Sequence, residues 1–208
     1  MQKRIAQAGM VLAVFGGGMA GAQAAGFDGG YFGVQAGGAV YDIDVSGEGT
    51  SVSGLGATGG SGGMFLGYGQ LSAEGAYGAV EIDALVEDAE TTIEIDGVGR
   101  HTLEARYSFG ASARIGTLLA DDVLLYGLLG YQQTEVRARS RIDGGGSMSD
   151  TDSLKGGRVG AGIEVDDGAG GWFVRGEASY TFYSSETYGD TRVAAGATRV
   201  QLGVGHRF

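Results

Sequence analysis

Between Leu103 and Gly116 the chain alternates with almost no exception. Leu103, Ala105, Tyr107, Phe109, Ala111, Ala113 and Ile115 fall on one side of an extended strand. Glu104, Arg106, Ser108, Gly110, Ser112, Arg114 and Gly116 fall on the other. A period of two is the signature of a strand with two chemically different faces. Wound as a helix, the same residues would spread Glu and Arg around the whole circumference. The run also exceeds the roughly 9 to 11 residues that a tilted strand needs to cross a membrane barrel wall. The segment therefore predicts a strand with an apolar face and a charged one, and the question is whether other segments repeat it.

They do. Tyr31 to Asp42 sets Phe32, Val34, Ala36 and Val40 against Gln35 and Gly37. Met64, Leu66 and Tyr68 share a face in Met64–Gln70. Val80, Ile82 and Ala84 alternate with Glu81 and Asp83 in Tyr77–Leu85. Arg158–Val165 separates Val159, Ala161, Ile163 and Val165 from Arg158, Gly160, Gly162 and Glu164. In Trp172–Phe182, Trp172, Val174, Ala178, Tyr180 and Phe182 oppose Arg175, Glu177, Ser179 and Thr181. The terminal run sets Val200, Leu202, Val204, His206 and Phe208 against Arg199, Gln201, Gly203, Gly205 and Arg207. Val123–Arg139 is the one segment with apolar groups on both faces, and its lipid-facing side stays open from sequence.

Eight strands result. Short connections at Leu71–Gly75, Leu118–Asp122 and Asp166–Gly171 alternate with long polar ones, expected as loops at Asp44–Gly60, Ser140–Ser153 and Ser184–Ala195. The acidic stretch Val86–His101 is expected to project beyond the membrane and turn near Gly97. Short turns on one side and long connections on the other are the habit of outer-membrane barrels. Aromatics near strand ends (Tyr31, Tyr41, Trp172, Tyr180, Phe182, Tyr183 and Phe208) are expected to form interfacial girdles.

Composition narrows the choice. After residue 25 no apolar run is long enough for a transmembrane helix, so a membrane form of this chain is a closed barrel. There is no Cys, hence no disulfide or thiolate metal site, and the formal charge of −11 disfavours nucleic acid as a partner. Lys3 and Arg4, the apolar run from Met10 to Phe15 and the small-residue site Ala22-Gln23-Ala24 predict a signal peptide over residues 1–24. Its removal takes Lys3 and Arg4 with it, leaving a barrel domain over 25–208.

Collected together, the polar faces contribute Glu81, Asp83, Glu104, Arg106, Arg114, Arg158, Glu164, Arg175, Glu177, Arg199 and Arg207, with Gln201 among them. An eight-stranded barrel has room inside for side chains and little more. Charges there have to be paired, so the expectation is a structural ion-pair network plugging the lumen. The competing expectation is a narrow porin-like channel through the same charges. A lipid-modifying enzyme is a lesser one, since neither His101 nor His206 has a Ser or Asp at a triad-like spacing. The acidic clusters Glu87–Asp96 and Asp143–Asp152 have no EF-hand spacing and are read as solvated surface. No catalytic residue, metal or cofactor is assigned.

The segments GYGQ (Gly67–Gln70), LLYGLLGY (Leu124–Tyr131), GGRVGAGIEV (Gly156–Val165), VRGEASYTFY (Val174–Tyr183) and the terminal VQLGVGHRF carry a resemblance. With the leader, they resemble the small outer-membrane β-barrel proteins of Gram-negative bacteria, the OmpA/OmpX-type and opacity-like surface proteins. The resemblance implies an all-β, eight-stranded antiparallel up-and-down barrel in the cell outer membrane. It implies that Val200, Leu202, Val204, His206 and Phe208 serve as a C-terminal assembly signal, with His206 where an aromatic is usual. It implies outer-membrane lipid and lipopolysaccharide, the assembly machinery and an extracellular surface ligand as partners. It also implies a structural or surface-interaction role through the long loops; no periplasmic peptidoglycan-binding domain is expected, because the sequence ends with the last strand.

Overall fold

The computed structural model describes residues 26–47, 50–95, 99–141, 147–168, 171–184, 186–188 and 191–208. The expected signal peptide lies outside them. The chain is all-β: β1 (Gly29–Gly47), β2 (Thr50–Leu71), β3 (Ala76–Glu87), β4 (Glu90–Ile95), β5 (Gly99–Ala120), β6 (Val123–Arg141), β7 (Ser147–Asp166), β8 (Trp172–Tyr183), β9 (Glu186–Tyr188) and β10 (Thr191–Arg207). Each strand is antiparallel to its neighbours, and β1 pairs with both β2 and β10, which closes the sheet. β3 and β4 both pair with β5 as two segments of one stave, and β9 pairs with β10 beyond the end of β8. The result is a closed eight-stranded barrel.

The short connections fall where the sequence places them. Gly75, Gly168 and Gly171 have positive φ there (82°, 73° and 73°), the backbone region that favours glycine. The segments expected as long loops are different. β1 and β2 stay paired up to Gly47↔Thr50, β6 and β7 up to Arg141↔Ser147, and β10 begins at Thr191. Those stretches are poor in groups to bury, yet a backbone ladder needs only N–H and C=O partners. The barrel therefore continues as paired hairpins where unstructured loops were expected. Val86–His101 contains a hairpin, with Glu90–Ile95 paired to Gly99–Glu104, and the turn expected near Gly97 lies outside the described residues.

The alternation sorts inside from outside. On the outer surface Ile115 is 75% exposed, Leu202 72% and Leu129 71%, joined by Val34, Met64, Val80, Phe109 and Val174. The β6 face left open by sequence is resolved: Leu124, Tyr126, Leu128, Gln132 and Thr134 are buried, while Leu125, Leu129 and Tyr131 are exposed. The girdle expectation needs correction. Tyr31, Tyr41 and Tyr183 are buried in the barrel, because they share strand parity with Gln35, Gly37 and Arg175, whereas Trp172, Phe182 and Phe208 lie outside.

Interior aromatics rest on glycines of the neighbouring strand. Tyr31 pairs with Gly67, Phe65 with Gly33, Tyr126 with Gly162 and Phe173 with Gly205. A Cβ at Gly162 would run into the Tyr126 ring. Gly162→Val should therefore destabilise the protein by about 1–3 kcal/mol through overpacking. Urea unfolding in detergent micelles measures this, and Gly162→Val combined with Tyr126→Ala should recover part of the loss.

Candidate functional site

The lumen is layered from the short-turn end upward. Its floor is aromatic: Tyr31, Phe65 and Phe173 stack with ring centroids 5.9–6.3 Å apart, and Phe27 meets Tyr77 edge-on at 6.5 Å. Phe27 precedes β1 and is fully buried. Arg207 ties the layer together, donating to the Phe27 carbonyl and to Glu164, with its guanidinium 5.1–5.4 Å from the Tyr31, Phe173 and Phe27 rings.

Above the floor, Glu81 is the hub. It accepts from Arg114 Nη2 at 2.6 Å and from Arg175 Nη1 at 2.7 Å. Arg114 also donates to Glu177 at 2.8 Å, and Tyr126 donates to the same Glu177 oxygen at 3.0 Å. Arg175 reaches Gln35 at 2.7 Å and lies 3.5 Å over the Phe65 ring, and Gly203 opposite leaves room for its side chain. A desolvated guanidinium over a ring is worth about 2 kcal/mol.

The next layer joins Arg158 to Asp83 at 2.6 Å and to Gln132 at 3.0 Å. Gly110, the direct partner of Asp83 on β5, leaves the carboxylate its space. The top layer centres on Glu87. It accepts from Arg199 at 2.7 Å and from the Tyr41 and Ser108 hydroxyls. Ser108, Thr134 and Tyr183 continue the chain at 2.7 and 2.8 Å.

Glu81, Asp83, Arg114, Arg158, Glu164, Arg175, Glu177, Arg199, Gln201 and Arg207 are thus all buried, none more than 6% exposed. Each of the five arginines has a carboxylate partner. Glu104 and Arg106, expected in this set, are half-buried instead. The β5–β6 register steps from Ala105↔Val136 to Tyr107↔Glu135, so Arg106 is the extra residue of a bulge. It is half-buried, with its guanidinium 5.3 Å from the adjacent Tyr107 ring. Beyond the bulge the phase inverts. Ala105 takes the buried position, and Glu104 leaves the alternation that carries Ser108, Ser112 and Arg114.

Glu87 escapes the sequence reading because it begins an acidic stretch. Its parity with Glu81 and Asp83 on β3 would have placed it. The same test finds Tyr31 and Gln35 on β1.

On the C-terminal strand, Val200, Leu202, Val204 and Phe208 are exposed on the outer surface. His206 is half-buried between Trp172 at 5.0 Å and Phe32 at 6.2 Å. His101 lies on β5, paired with Ile93 and Ser140. Among the described residues no group of three or more His, Asp or Glu is arranged to hold a metal ion.

Solved structures of similar shape include the attachment invasion locus protein Ail of Yersinia pestis, at 19% identity, 87% of this chain, 99% of that one and a TM-score of 0.44. Neisserial surface protein A matches at 20% identity over 87% and 100%, with a TM-score of 0.45. The outer membrane protease OmpT of Escherichia coli matches at 9% identity over 87% and 97%, with a TM-score of 0.44. Similarity at that level carries no argument about activity or partners. No curated protein matches the sequence. The family model of the outer membrane protein beta-barrel domain matches residues 10–208, and the chain belongs to that family.

Proposed function

We propose that this chain spans the outer membrane as a barrel with a plugged lumen, and that it acts without catalysis as a structural or surface-interaction protein. The observation that carries this is the inversion of an ordinary soluble core. Ion-paired arginines and carboxylates are buried inside, while Leu202, Ile115 and Leu129 cover the outside. Exposing that surface to water would be unfavourable at about 25 cal/mol per Å² of apolar area, so it calls for a lipid solvent. The aromatic floor and the ion pairs above it leave the interior occupied by side chains at successive levels. The hairpin end then lies outside the cell, with the short turns and the floor on the periplasmic side. In this reading lipid and lipopolysaccharide surround the wall, and the assembly machinery reads Val200, Leu202, Val204, His206 and Phe208.

Two measurements on purified protein refolded in detergent test it. An unheated sample should migrate differently from a boiled one on electrophoresis, as a closed barrel does. In a planar bilayer the protein should show no steady openings. Steady conductance would favour the narrow channel and sink the plugged lumen.

A further inference from the structure

Above the apolar band the wall no longer closes. β7 pairs with β8 from Asp166↔Phe173 to Gly156↔Tyr183, and Ser184 N–H donates once more to the Lys155 carbonyl at 2.8 Å. Beyond that, β7 continues to Ser147 with β6 on one side only, up to Arg141↔Ser147. Among the described residues no strand pairs with the other edge of β7 between Ser147 and Leu154. β9, the nearest continuation of the β8 stave, pairs with β10 instead.

The chemistry of that edge is specific. The Lys155 backbone points toward β8, so by the two-residue repeat of a strand Ser153 and Thr151 turn their N–H groups to the same open edge. Both are held by the residue before them: Thr151 N–H donates to Asp150 Oδ1 at 2.9 Å and Ser153 N–H to Asp152 Oδ1 at 2.7 Å. Asp150 and Asp152 are exposed. An unpaired strand edge is a template for another strand, and proteins blunt such edges with charge. Here the blunting groups are carboxylates, which a cation can draw away.

We propose that the Ser147–Leu154 edge of β7 takes up an extended peptide carrying Lys or Arg at alternate positions, added to the sheet as one more strand. Its backbone takes over the Thr151 and Ser153 N–H groups as Asp150 and Asp152 turn to its cations. Strand addition of this kind derives affinity from backbone bonds and specificity from alternate side chains. A second copy of this chain is a poor occupant. Antiparallel self-pairing centred on Thr151 sets Asp150 against Asp152 of the other copy, and like charges directly opposite are destabilising. Two other edges without a strand partner among the described residues are less selective: Thr50–Ala57 of β2 carries no charge, and Thr91–Ile95 of β4 a single carboxylate, Glu94. This inference rests on the surface-interaction reading and names the partner for it.

The test uses the full mature chain in detergent micelles and a fluorescent peptide of alternating Lys and Thr, read by anisotropy. Saturable binding is expected, weakened about tenfold by Asp150→Asn with Asp152→Asn, as befits the loss of a close charge pair. Thr151→Pro should abolish it while the heat-dependent gel shift persists, because the Thr151 N–H faces away from β6 and proline is tolerated at such positions. A peptide N-methylated on its backbone, which cannot donate, should not bind the unaltered protein. No saturable binding, equal binding by the N-methylated peptide, or full binding by a folded Thr151→Pro chain would each overturn the proposal. So would concentration-dependent dimerisation that Thr151→Pro removes, which would make a second copy the occupant. These readouts need neither a bilayer nor a conductance record, so their failure leaves the barrel reading standing.

Discussion

Glu81→Ala should cost the barrel about 3–5 kcal/mol, the range for breaking a buried ion pair by removing one partner. The figure belongs at the upper end here, since one carboxylate serves two guanidiniums, Arg114 Nη2 at 2.6 Å and Arg175 Nη1 at 2.7 Å. Arg114 would keep Glu177 at 2.8 Å, but among the described residues Arg175 would keep only Gln35 and the face of Phe65. Denaturant unfolding in micelles, followed by tryptophan fluorescence or gel mobility, measures the loss. A companion variant separates pairing from packing. Replacing Glu81 with Leu and Arg175 with Met removes two opposite charges together and leaves Arg114 with Glu177, and such replacements are often neutral or stabilising. If that double variant is as unstable as Glu81→Ala, lost volume and not the orphaned charge accounts for the effect.

Leu202→Arg should cost about 2–4 kcal/mol in a lipid bilayer, the penalty for a cation at the midplane of a barrel's lipid face. Leu202 is 72% exposed, so no core contact explains such a loss. The same substitution at Phe208, one residue beyond the end of β10, should cost only about 0–1 kcal/mol, because depth sets the penalty. Folding titrations in vesicles give both values. Equal costs at the two positions would place the apolar band somewhere other than in lipid.

Much of the wall was legible because alternation over a long strand has few competing explanations. The arginines and carboxylates on β3, β7, β8 and β10 fall inside as parity demands. What stayed illegible has local causes. The β5 bulge at Arg106 adds one residue to a strand whose residue types still alternate, so Glu104 and Arg106 look like lumen residues in print. On β6, Leu124 and Leu128 pack into the aromatic floor region, and an interior that is apolar at one end and charged at the other erases the contrast between faces. Tyr31, Tyr41 and Tyr183 show that residue type misleads where parity does not. A tyrosine suits an interface, yet these three share strand faces with buried polar groups. The hairpin extensions were hidden because backbone pairing leaves no mark in segments of Ser, Thr and Gly.

The acids of β3 meet arginines that emerge much later in the chain. Glu81 waits 33 residues for Arg114 and 94 for Arg175; Asp83 waits 75 for Arg158, and Glu87 waits 112 for Arg199. Contacts of such separation slow folding, since loop-closure entropy is spent before they form. A nascent chain that stops short of β8 holds Arg114 for Glu81 and Arg158 for Asp83, but Glu81 still lacks its second guanidinium, Arg175, and Glu87 still lacks Arg199. The inner face of β3 is then not yet neutralised and cannot rest stably against lipid or aromatic surface. Closure and charge neutralisation therefore coincide, and the last strands to leave the ribosome decide when the first ones become compatible with a membrane.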